Sequence, residues 1–324
     1  MTRRDPKAIL IIALGPLREF VLAAAAMRQI RAAHPQAQIT LLTTQPFQGL
    51  AKAAPYFDTV ETDGDAHGAG PWLSLIGRLR GARYERIYDL QGSLASRAIR
   101  IGLGPLTPPW ITVAHAAGLV RRNLHPLDRQ AEALRAAGAW TEGGSGPGCA
   151  PPPDLSWIIK SAPAERPVRD GISRRPNALF IPAPSETPAP CRWPAQRYGE
   201  LGRILRQRGF DVVIVGSPQD GDAARAIQHQ VPGARDLTGA PDIARVALLA
   251  ARAAVAIGAD SSFLHLAVAA GAPGVVLCPC AADPALSAPR GHVTVLQAAA
   301  MEDLPADYVA RTIESLSPAG ARSA

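Results

Sequence analysis

The sequence predicts an α/β protein made of two Rossmann-like units, each built around a parallel sheet. Short apolar runs typical of buried strands alternate with longer segments of helical periodicity along the 324 residues. No hairpin signal separates the strands, so helices are expected to connect them in parallel. A stretch rich in Gly, Pro, Ser and charge, from about residue 141 to 175, interrupts this alternation and predicts a linker.

In the first half, four apolar runs predict strands. Leu17, Val21, Ala24, Met27 and Ile30 share one face of the first predicted helix. The predicted strands cover 8–14, 38–43, 58–62 and 86–90, and the predicted helices cover 17–33, 46–54, 71–81 and 93–101.

The second half repeats the pattern and ends in a helix with Pro305 in its first turn. Its strands are predicted at 178–183, 211–216, 253–258 and 274–278, and its helices at 194–209, 221–230, 241–252, 262–271 and 303–316. We therefore expect domains at 1–165 and 166–302, with residues 303–324 packing back towards the first domain. Ligands of open α/β sheets bind at the carboxyl ends of the strands, so a cleft between the two sheets is the expected site.

The composition narrows the classes of partner. Hydrophobic residues make up 47% of the chain, which is ample for a packed core, and no apolar run approaches the ~18 residues of a membrane span. The short apolar run near the N-terminus is better explained as a first strand than as a signal peptide, so a cytoplasmic protein is expected. A net charge of +7 favours an anionic partner such as a phosphorylated glycolipid or a membrane surface, unless the arginines reflect genome bias. With 5% aromatic residues and no RNA-binding motif, nucleic acid is not expected.

The four cysteines lack the spacing of metal ligands. Cys278 and Cys280 have no partner pair and no nearby histidine, so reduced thiols are the better interpretation than zinc. We therefore expect no metal site.

The stretch 256–273 predicts an anion site. A strand ends at Gly258, and Asp260, Ser261 and Ser262 then stand where a helix begins. The free amides of a first helical turn bind anions, and His265 lies one turn further along the helix. The alternative is a buried helix with an ordinary cap and a satisfied histidine.

Two other stretches are expected at the same place. Arg192 follows a strand and a Pro-rich loop, and Thr238-Gly239 form a turn before a helix. Neither G-x-G-x-x-G nor G-x-x-x-x-G-K-[ST] is present, which disfavours dehydrogenases and P-loop proteins.

In the first half, "GPLREF" places Arg18 and Glu19 where a predicted strand turns into a helix. Glu19 is either a charge that complements the helix N-terminus or a carboxylate placed for proton transfer. Arg18 could pair with Glu19 and lower its pKa, or bind an anionic acceptor. Each arginine further along is individually explained as a surface charge, but as a set they suit an anionic glycolipid: Arg78, Arg80, Arg83, Arg97, Arg100, Arg121 and Arg122.

These motifs resemble one family. "RWPAQRYGEL", "VVIVGSPQD", "DLTG" and "AVAIGADSSFLHLAVAAGAPGVVL" are similar, in this order, to the donor half of bacterial ADP-heptose:lipopolysaccharide heptosyltransferases, which are glycosyltransferase family 9 enzymes of the GT-B fold. "YERIYDLQGSLASR" and the N-terminal strand–turn–helix resemble the acceptor half. Only residues 105–175 have little that matches.

The resemblance implies an inverting transfer of heptose, or a related sugar, from an ADP-linked nucleotide donor to a lipopolysaccharide inner-core acceptor. Glu19 would be the base, and no cofactor besides the nucleotide sugar would be required. Peripheral contact with the cytoplasmic face of the inner membrane is also implied. Implied donor-binding residues are Ser185, Arg192, Asp220, Thr238, Gly239, Asp260, Ser261, Ser262 and His265; implied acceptor-binding residues are Arg18, Arg97, Arg100, Arg121 and Arg122.

Four positions depart from the family pattern. Glu19 stands where the family has Asp, Arg18 and Ser262 where it has Gly, and Cys191 where it usually has Lys. These departures keep two alternatives open: a relative that uses another donor sugar, and a degenerate homologue that binds nucleotide or glycolipid without transfer.

Overall fold

The computed structural model describes residues 7–64, 68–105, 107–113, 124–144, 146–161, 175–183, 187–239 and 242–316. The chain forms two compact units, Met1–Pro153 and Asp154–Ala324. This division precedes the predicted boundary at 165. The reason is local: the Leu155 amide donates to the Ala269 carbonyl at 2.7 Å, which ties the chain after Pro153 to the second unit.

The first unit is a five-stranded parallel sheet with the order β3-β2-β1-β4-β5. Its central strand contains the consecutive buried run Ile9–Ala13, because helices cover both faces of a parallel sheet. The strands are β1 (Ala8–Ala13), β2 (Gln38–Thr43), β3 (Thr59–Thr62), β4 (Arg86–Asp89) and β5 (Trp110–Thr112). The helices are α1 (Leu17–Ala33), α2 (Gln48–Ala53), α3 (Ala69–Gly81), α4 (Leu94–Leu103) and α5 (Pro126–Ala136).

The second unit is a six-stranded parallel sheet with the order β11-β10-β9-β6-β7-β8. The strands are β6 (Asn177–Ile181), β7 (Asp211–Gly216), β8 (Arg235–Thr238), β9 (Val255–Ala259), β10 (Gly274–Pro279) and β11 (Val293–Ala298). The helices are α6 (Ile158–Ser161), α7 (Ala195–Gln207), α8 (Gly221–Gln230), α9 (Ile243–Ala250), α10 (Ser262–Ala270), α11 (Pro284–Ser287) and α12 (Ala306–Leu316).

The last helix belongs to the core of the second unit. Val309, Ala310 and Ile313 of α12 are buried in the same cluster as Leu201 and Leu205 of α7. The sequence predicted that this segment would pack towards the first domain. The apolar stripe of α12 covers α7, as expected of an amphipathic helix. The predicted packing of residues 303–324 towards the first domain stays a prediction.

All eight predicted strands are present, and the sequence missed β5, β8 and β11. Each missed strand lies at the edge of its sheet and is only partly buried, so it lacks the continuous apolar run that marks a central strand. The prediction of two parallel α/β sheets is confirmed. In the part of the chain that the structure describes, no helix combines the length and apolarity needed to cross a bilayer.

Each sheet has one point where its strand order changes direction. In the first sheet, β2 and β3 follow β1 on one side, and β4 and β5 follow on the other side, so the order changes between β1 and β4. In the second sheet, the order changes in the same way between β6 and β9. The loops that leave two such strands diverge and leave a crevice at their carboxyl ends, where open α/β sheets bind ligands.

Candidate functional site

The turns after β1 and β4 bring two polar side chains together at Gly15. A β-carbon built on Gly15 would collide with Glu19 Oε2 and would lie 2.8 Å from Gln91 Cδ and 2.9 Å from Gln91 Nε2. Glycine is therefore required here by close approach rather than by its backbone angles. Glu19 is in the first turn of α1, and Gln91 follows β4, so both side chains lie at the crevice of the first sheet.

Gln91 is held by the backbone of a tight turn. The buried Asp89 carboxylate accepts hydrogen bonds from two backbone N–H groups, that of Gln91 at 3.3 Å and that of Gly92 at 2.8 Å. The side-chain nitrogen and oxygen of Gln91 are both buried, and among the described residues neither has a hydrogen-bond partner. Such an orphaned amide is costly unless a ligand uses it. The sequence analysis compared the "DLQG" stretch with the family but assigned Gln91 no role.

Glu19 and Gln91 border an open cavity of about 370 Å³ within the first unit. Helices α1 and α5 form much of its wall, so apolar side chains alternate with cationic and amide groups. The lining residues are Arg18, Glu19, Leu22, Leu90, Gln91, Val113, Pro126, Arg129 and Gln130. The cavity has the mixed surface that a sugar with a charged substituent needs.

Partial burial raises the pKa of the Glu19 carboxyl above its usual value. A pairing with Arg18 that lowers this pKa was one expectation from the sequence, and the shift has the opposite direction. A raised pKa suits a proton acceptor that works near neutral pH, because the carboxylate is then a stronger base.

The other arginines predicted to bind the acceptor lie elsewhere or outside the described residues. Arg97 and Arg100 are exposed on α4 and are not among the residues that line the cavity. The Arg100 guanidinium lies 5.8 Å from the centre of the Trp110 ring, a cation–π distance. Arg121 and Arg122 fall in 114–123, which the structure does not describe. Arg129, which the sequence analysis did not select, lines the cavity instead.

In the second unit, the residues predicted to bind the donor follow adjacent strands. Asp260, Ser261 and Ser262 come after β9, Arg192 after β6, and Thr238-Gly239 end β8. Since β9, β6, β7 and β8 are neighbours in a parallel sheet, these residues share its carboxyl edge. Ser185 lies outside the described residues.

The start of α10 has the geometry of an anion-binding helix end. The Ser261 hydroxyl caps the helix by accepting from the Leu264 amide at 3.4 Å, and Ser262 is the first helical residue. The amides of this first turn precede the intrahelical hydrogen bonds. Gly258, at the end of β9, has no space for a side chain because the Ile181 carbonyl packs against it. Strands β9 and β6 are thus held in close contact at the crevice.

His265 is buried in α10 and forms hydrogen bonds to residues beside the start of this helix. Its Nε2 lies 3.0 Å from Asp260 Oδ1 and 3.1 Å from the Ser287 carbonyl, and its side chain is 1% exposed. Both neighbours are acceptors, so Nε2 carries the proton and donates. The sequence analysis expected the ring to contact a phosphate; the structure shows it fixing Asp260, whose carboxylate remains partly exposed.

Asp220 has a capping role that the sequence analysis did not expect. Its Oδ2 accepts from the Ser217 amide at 2.6 Å and from the Ser217 hydroxyl at 2.8 Å, forming a capping box after β7. In this arrangement Asp220 is 4% exposed. Its assignment as a contact for the donor ribose stays a prediction.

Arg192 borders a second cavity, of about 300 Å³, at the end of β6 with Pro182 and Ala183. The neighbouring Trp193 is buried, donates to the Leu304 carbonyl at 2.9 Å and packs edge-on against Tyr198, so it is a packing residue as expected. On β8, the Thr238 hydroxyl donates to Asp236 Oδ1 at 2.7 Å, and Gly239 adopts φ +71° to turn the chain.

The described residues contain no group of three or more His, Cys, Asp or Glu side chains arranged to hold a metal. All four cysteines are free thiols, and burial raises the pKa of Cys278. Cys278 is buried and Cys280 is exposed.

Two parallel α/β units with polar residues at their crevices are the architecture of the GT-B fold. Solved structures of the same fold match nearly the whole chain. E. coli ADP-heptose LPS heptosyltransferase II is 21% identical with a TM-score of 0.74, covering 95% of this chain and 98% of that one. E. coli heptosyltransferase WaaC with ADP is 17% identical with a TM-score of 0.72, covering 95% and 99%.

Sequence comparison finds similarity to one family of enzymes. Residues 149–283 match the model of glycosyltransferase family 9 (heptosyltransferase). Lipopolysaccharide heptosyltransferase 2 of Escherichia coli K12 is 26% identical in a 293-residue alignment, with a coverage of 82% for each chain. The chain is therefore similar to the heptosyltransferases of this family over most of its length.

Proposed function

We propose that the protein transfers heptose, or a related sugar, from an ADP-linked donor to a lipopolysaccharide inner-core acceptor with inversion. The names of its relatives support the donor and acceptor classes, since they include a lipopolysaccharide heptosyltransferase and a heptosyltransferase with ADP. The observation that carries the proposal is the Glu19 carboxylate, which borders the first-unit cavity and has a raised pKa.

The proposed reaction is a single displacement. Glu19 accepts the proton of the acceptor hydroxyl, and the hydroxyl oxygen forms a bond to the anomeric carbon of the donor sugar. The bond from that carbon to the diphosphate breaks, and its electron pair leaves with ADP. Attack opposite the leaving group inverts the anomeric configuration, and Glu19 later releases its proton to water.

The second unit would hold the donor and stabilise the departing diphosphate. The first-turn amides of α10 and the Arg192 guanidinium supply positive electrostatic potential, so the developing charge is stabilised without further groups. Asp260, fixed by His265, would bind a donor hydroxyl, and Thr238-Gly239 would border the adenine. The nucleotide sugar is a co-substrate in this scheme, which includes no additional cofactor.

The first-unit cavity would hold the acceptor sugar. Arg18 and Arg129 would bind its carboxylate or phosphate, while the Gln91 amide would bind a hydroxyl. Because such an acceptor is part of a glycolipid, the enzyme would work peripherally at the cytoplasmic face of the inner membrane.

Two measurements test this function. Calorimetry should show ADP binding more tightly than UDP or GDP, and a transfer assay with ADP-heptose should give product. Glu19→Gln should abolish transfer and leave ADP binding unchanged, because an amide cannot accept the proton. Glu85→Gln is the matched control, since Glu85 is exposed and lies outside the cavity. Equal turnover by Glu19→Gln and wild type would reject the base, and failure to bind ADP would reject the donor class.

A further inference from the structure

Helices α3 and α4 expose large apolar side chains to solvent. Leu73 is 68% exposed, Leu94 is 82% exposed and Ile101 is 80% exposed. Among the described residues, five large hydrophobic side chains are exposed, and these three have the highest exposed fractions. The other two, Ile159 and Tyr308, lie in the second unit. Single exposed leucines are ordinary, whereas three on adjacent helices indicate a surface that meets a partner.

The two helices cover the same face of the first sheet. Leu75, Ile76 and Leu79 of α3, together with Ile99 and Leu103 of α4, pack in one core cluster against one face of the first sheet.

The helices also approach each other closely, because a β-carbon on Gly102 of α4 would lie 2.7 Å from Ile76 Cδ1 of α3. In α4, Leu94 and Ile101 are seven residues apart, so they share the face opposite the buried Ile99. We call Leu73, Leu94, Ile101 and the exposed arginines of both helices the α3–α4 face.

The charge of the α3–α4 face has one sign. Its charged residues are Arg78, Arg80, Arg97 and Arg100, and neither helix contains an aspartate or glutamate. Arg78 lies 3.6 Å from Glu61 of β3, which offsets part of this charge. A protein-binding surface generally combines both signs, whereas large apolar side chains among cations are typical of binding to anionic bilayers.

We propose that the α3–α4 face docks on the surface of an anionic phospholipid bilayer. Leu73, Leu94 and Ile101 enter the boundary between headgroups and acyl chains, and the arginines contact lipid phosphates. The proposal rests on the proposed function, because a lipid-linked acceptor is presented at such a surface, and it names the part of the chain that makes this contact. The first-unit cavity and the α3–α4 face belong to the same unit, so docking fixes the height of the cavity above the bilayer.

The test is partition of the full chain onto vesicles. Vesicles containing phosphatidylglycerol should bind the wild type, vesicles of phosphatidylcholine alone should bind it at least tenfold more weakly, and high salt should weaken the binding to the anionic vesicles. The double variant Leu94→Gln/Ile101→Gln should bind anionic vesicles about tenfold or more weakly than wild type, because burying each apolar side chain adds to the partition. Tyr308→Gln is the matched control, since Tyr308 is 47% exposed on α12 of the second unit and should have no effect.

Unchanged vesicle binding by the double variant overturns the proposal. So does a change of oligomeric state in sedimentation velocity without a change in vesicle binding, which would assign the face to a second copy of the chain. Transfer to a water-soluble, deacylated acceptor separates this proposal from the proposed function. The double variant should keep that activity, and its absence in the wild type would reject the transferase reaction while leaving the vesicle result intact.

Discussion

The Glu19 carboxylate and the Gln91 side-chain amide meet beside Gly15, where they occupy the space that a β-carbon on this residue would need. The three residues come from the turns after β1 and β4, the two strands at which the order of the first sheet changes direction. A partly buried carboxylate with a raised pKa therefore lies beside a buried amide that has no partner among the described residues. Both groups are unfavourable for stability as they stand, which is typical of residues that interact with a ligand.

The pH dependence of transfer should report the raised pKa of Glu19. The base must be ionised, so kcat/KM should fall as the pH decreases through the Glu19 pKa, and the midpoint should lie above the usual carboxyl range. A pH–rate profile of wild type measures this midpoint. Glu19→Asp should show the same fall in kcat/KM at low pH, with a lower maximum value. A wild-type midpoint at or below the usual carboxyl range would contradict the assignment of Glu19 as the base.

The same pKa shift predicts how stability depends on pH. The folded-state pKa of Glu19 is raised above its unfolded value, so its contribution to stability is present at low pH and is lost as the pH rises through the folded pKa. The difference in thermal stability between Glu19→Gln and wild type should therefore increase in favour of the variant as the pH is raised from about 4 to about 8. Melting curves at both pH values, with Glu85→Gln as control, would show whether the gain is specific to Glu19.

Gly15→Ala should impair transfer more than folding. The added β-carbon would displace Glu19 Oε2 and the Gln91 amide, which are the ends of flexible side chains, so the backbone has no need to move. Misplacing a catalytic group by about 1 Å can reduce the rate by about 100-fold. We expect a loss of roughly this size in kcat with little change in melting temperature.

Gly77→Ala is the control for that variant. Gly77 lies in α3 with no atom within 4 Å of an added β-carbon, so alanine should stabilise the protein by about 0.5–1 kcal/mol and leave kcat unchanged. Equal kcat in Gly15→Ala and wild type would show that the positions of Glu19 and Gln91 do not matter for the reaction.

Gln91→Leu should change activity and stability in opposite directions. Leucine keeps most of the side-chain volume and removes a buried polar group whose missing hydrogen bonds cost about 1–3 kcal/mol. The variant should therefore be as stable as wild type or more stable, while kcat/KM for the acceptor falls about tenfold or more. Chemical denaturation and acceptor kinetics on the same sample measure both. A destabilised variant with normal kinetics would make Gln91 a structural residue only.

The sequence located Glu19 and overlooked Gln91 for a physical reason. A charge in a nearly charge-free run beside a Gly-Pro break is conspicuous, whereas a neutral amide in "DLQG" has no feature that sets it apart. Its importance depends on β4 pairing with β1, which is a sheet register and not a local property. Had the crevice been placed at the change of strand order, residues after β4 would have been candidates too.

The sequence also placed the residues predicted to bind the donor after strands that the structure contains, but it could not give the directions of their side chains. Asp260, Asp220 and His265 all follow strand ends, as expected for ligand-binding residues. In the fold, the Asp220 carboxylate turns back to cap its own loop, and the His265 ring points into the core. The position of a carboxylate near a strand end does not determine whether its oxygens accept hydrogen bonds from the protein backbone or from a ligand.

Asp220→Ala should reduce stability without a specific effect on nucleotide binding. It removes both hydrogen bonds that the Asp220 carboxylate accepts from Ser217 after β7, and loss of a cap costs about 0.5–2 kcal/mol. Denaturant melts should show this loss, and calorimetry under native conditions should show an ADP affinity within about twofold of wild type. A large loss of ADP affinity in a variant with wild-type stability would support Asp220 as a ribose contact.

His265→Ala should weaken both the fold and nucleotide binding, because the ring connects the two. Its Nε2 proton is shared by Asp260 and the Ser287 carbonyl, so the variant removes both of these hydrogen bonds and the buried ring itself, at a cost of about 1–3 kcal/mol. It also removes the constraint that the ring places on the Asp260 carboxylate beside the start of α10, and ADP affinity should fall about tenfold.

His265→Asn distinguishes the two consequences, since its shorter amide fills part of the space without reaching both acceptors. Both its ADP affinity and its thermal stability should be lower than those of wild type, because the asparagine holds Asp260 less firmly than the histidine does. His229→Ala, on the exposed side of α8, is the control and should change neither quantity. If His265→Ala binds ADP as wild type does at a temperature where both are folded, the histidine stabilises the core alone. The anion site would then depend only on the helix amides and Arg192.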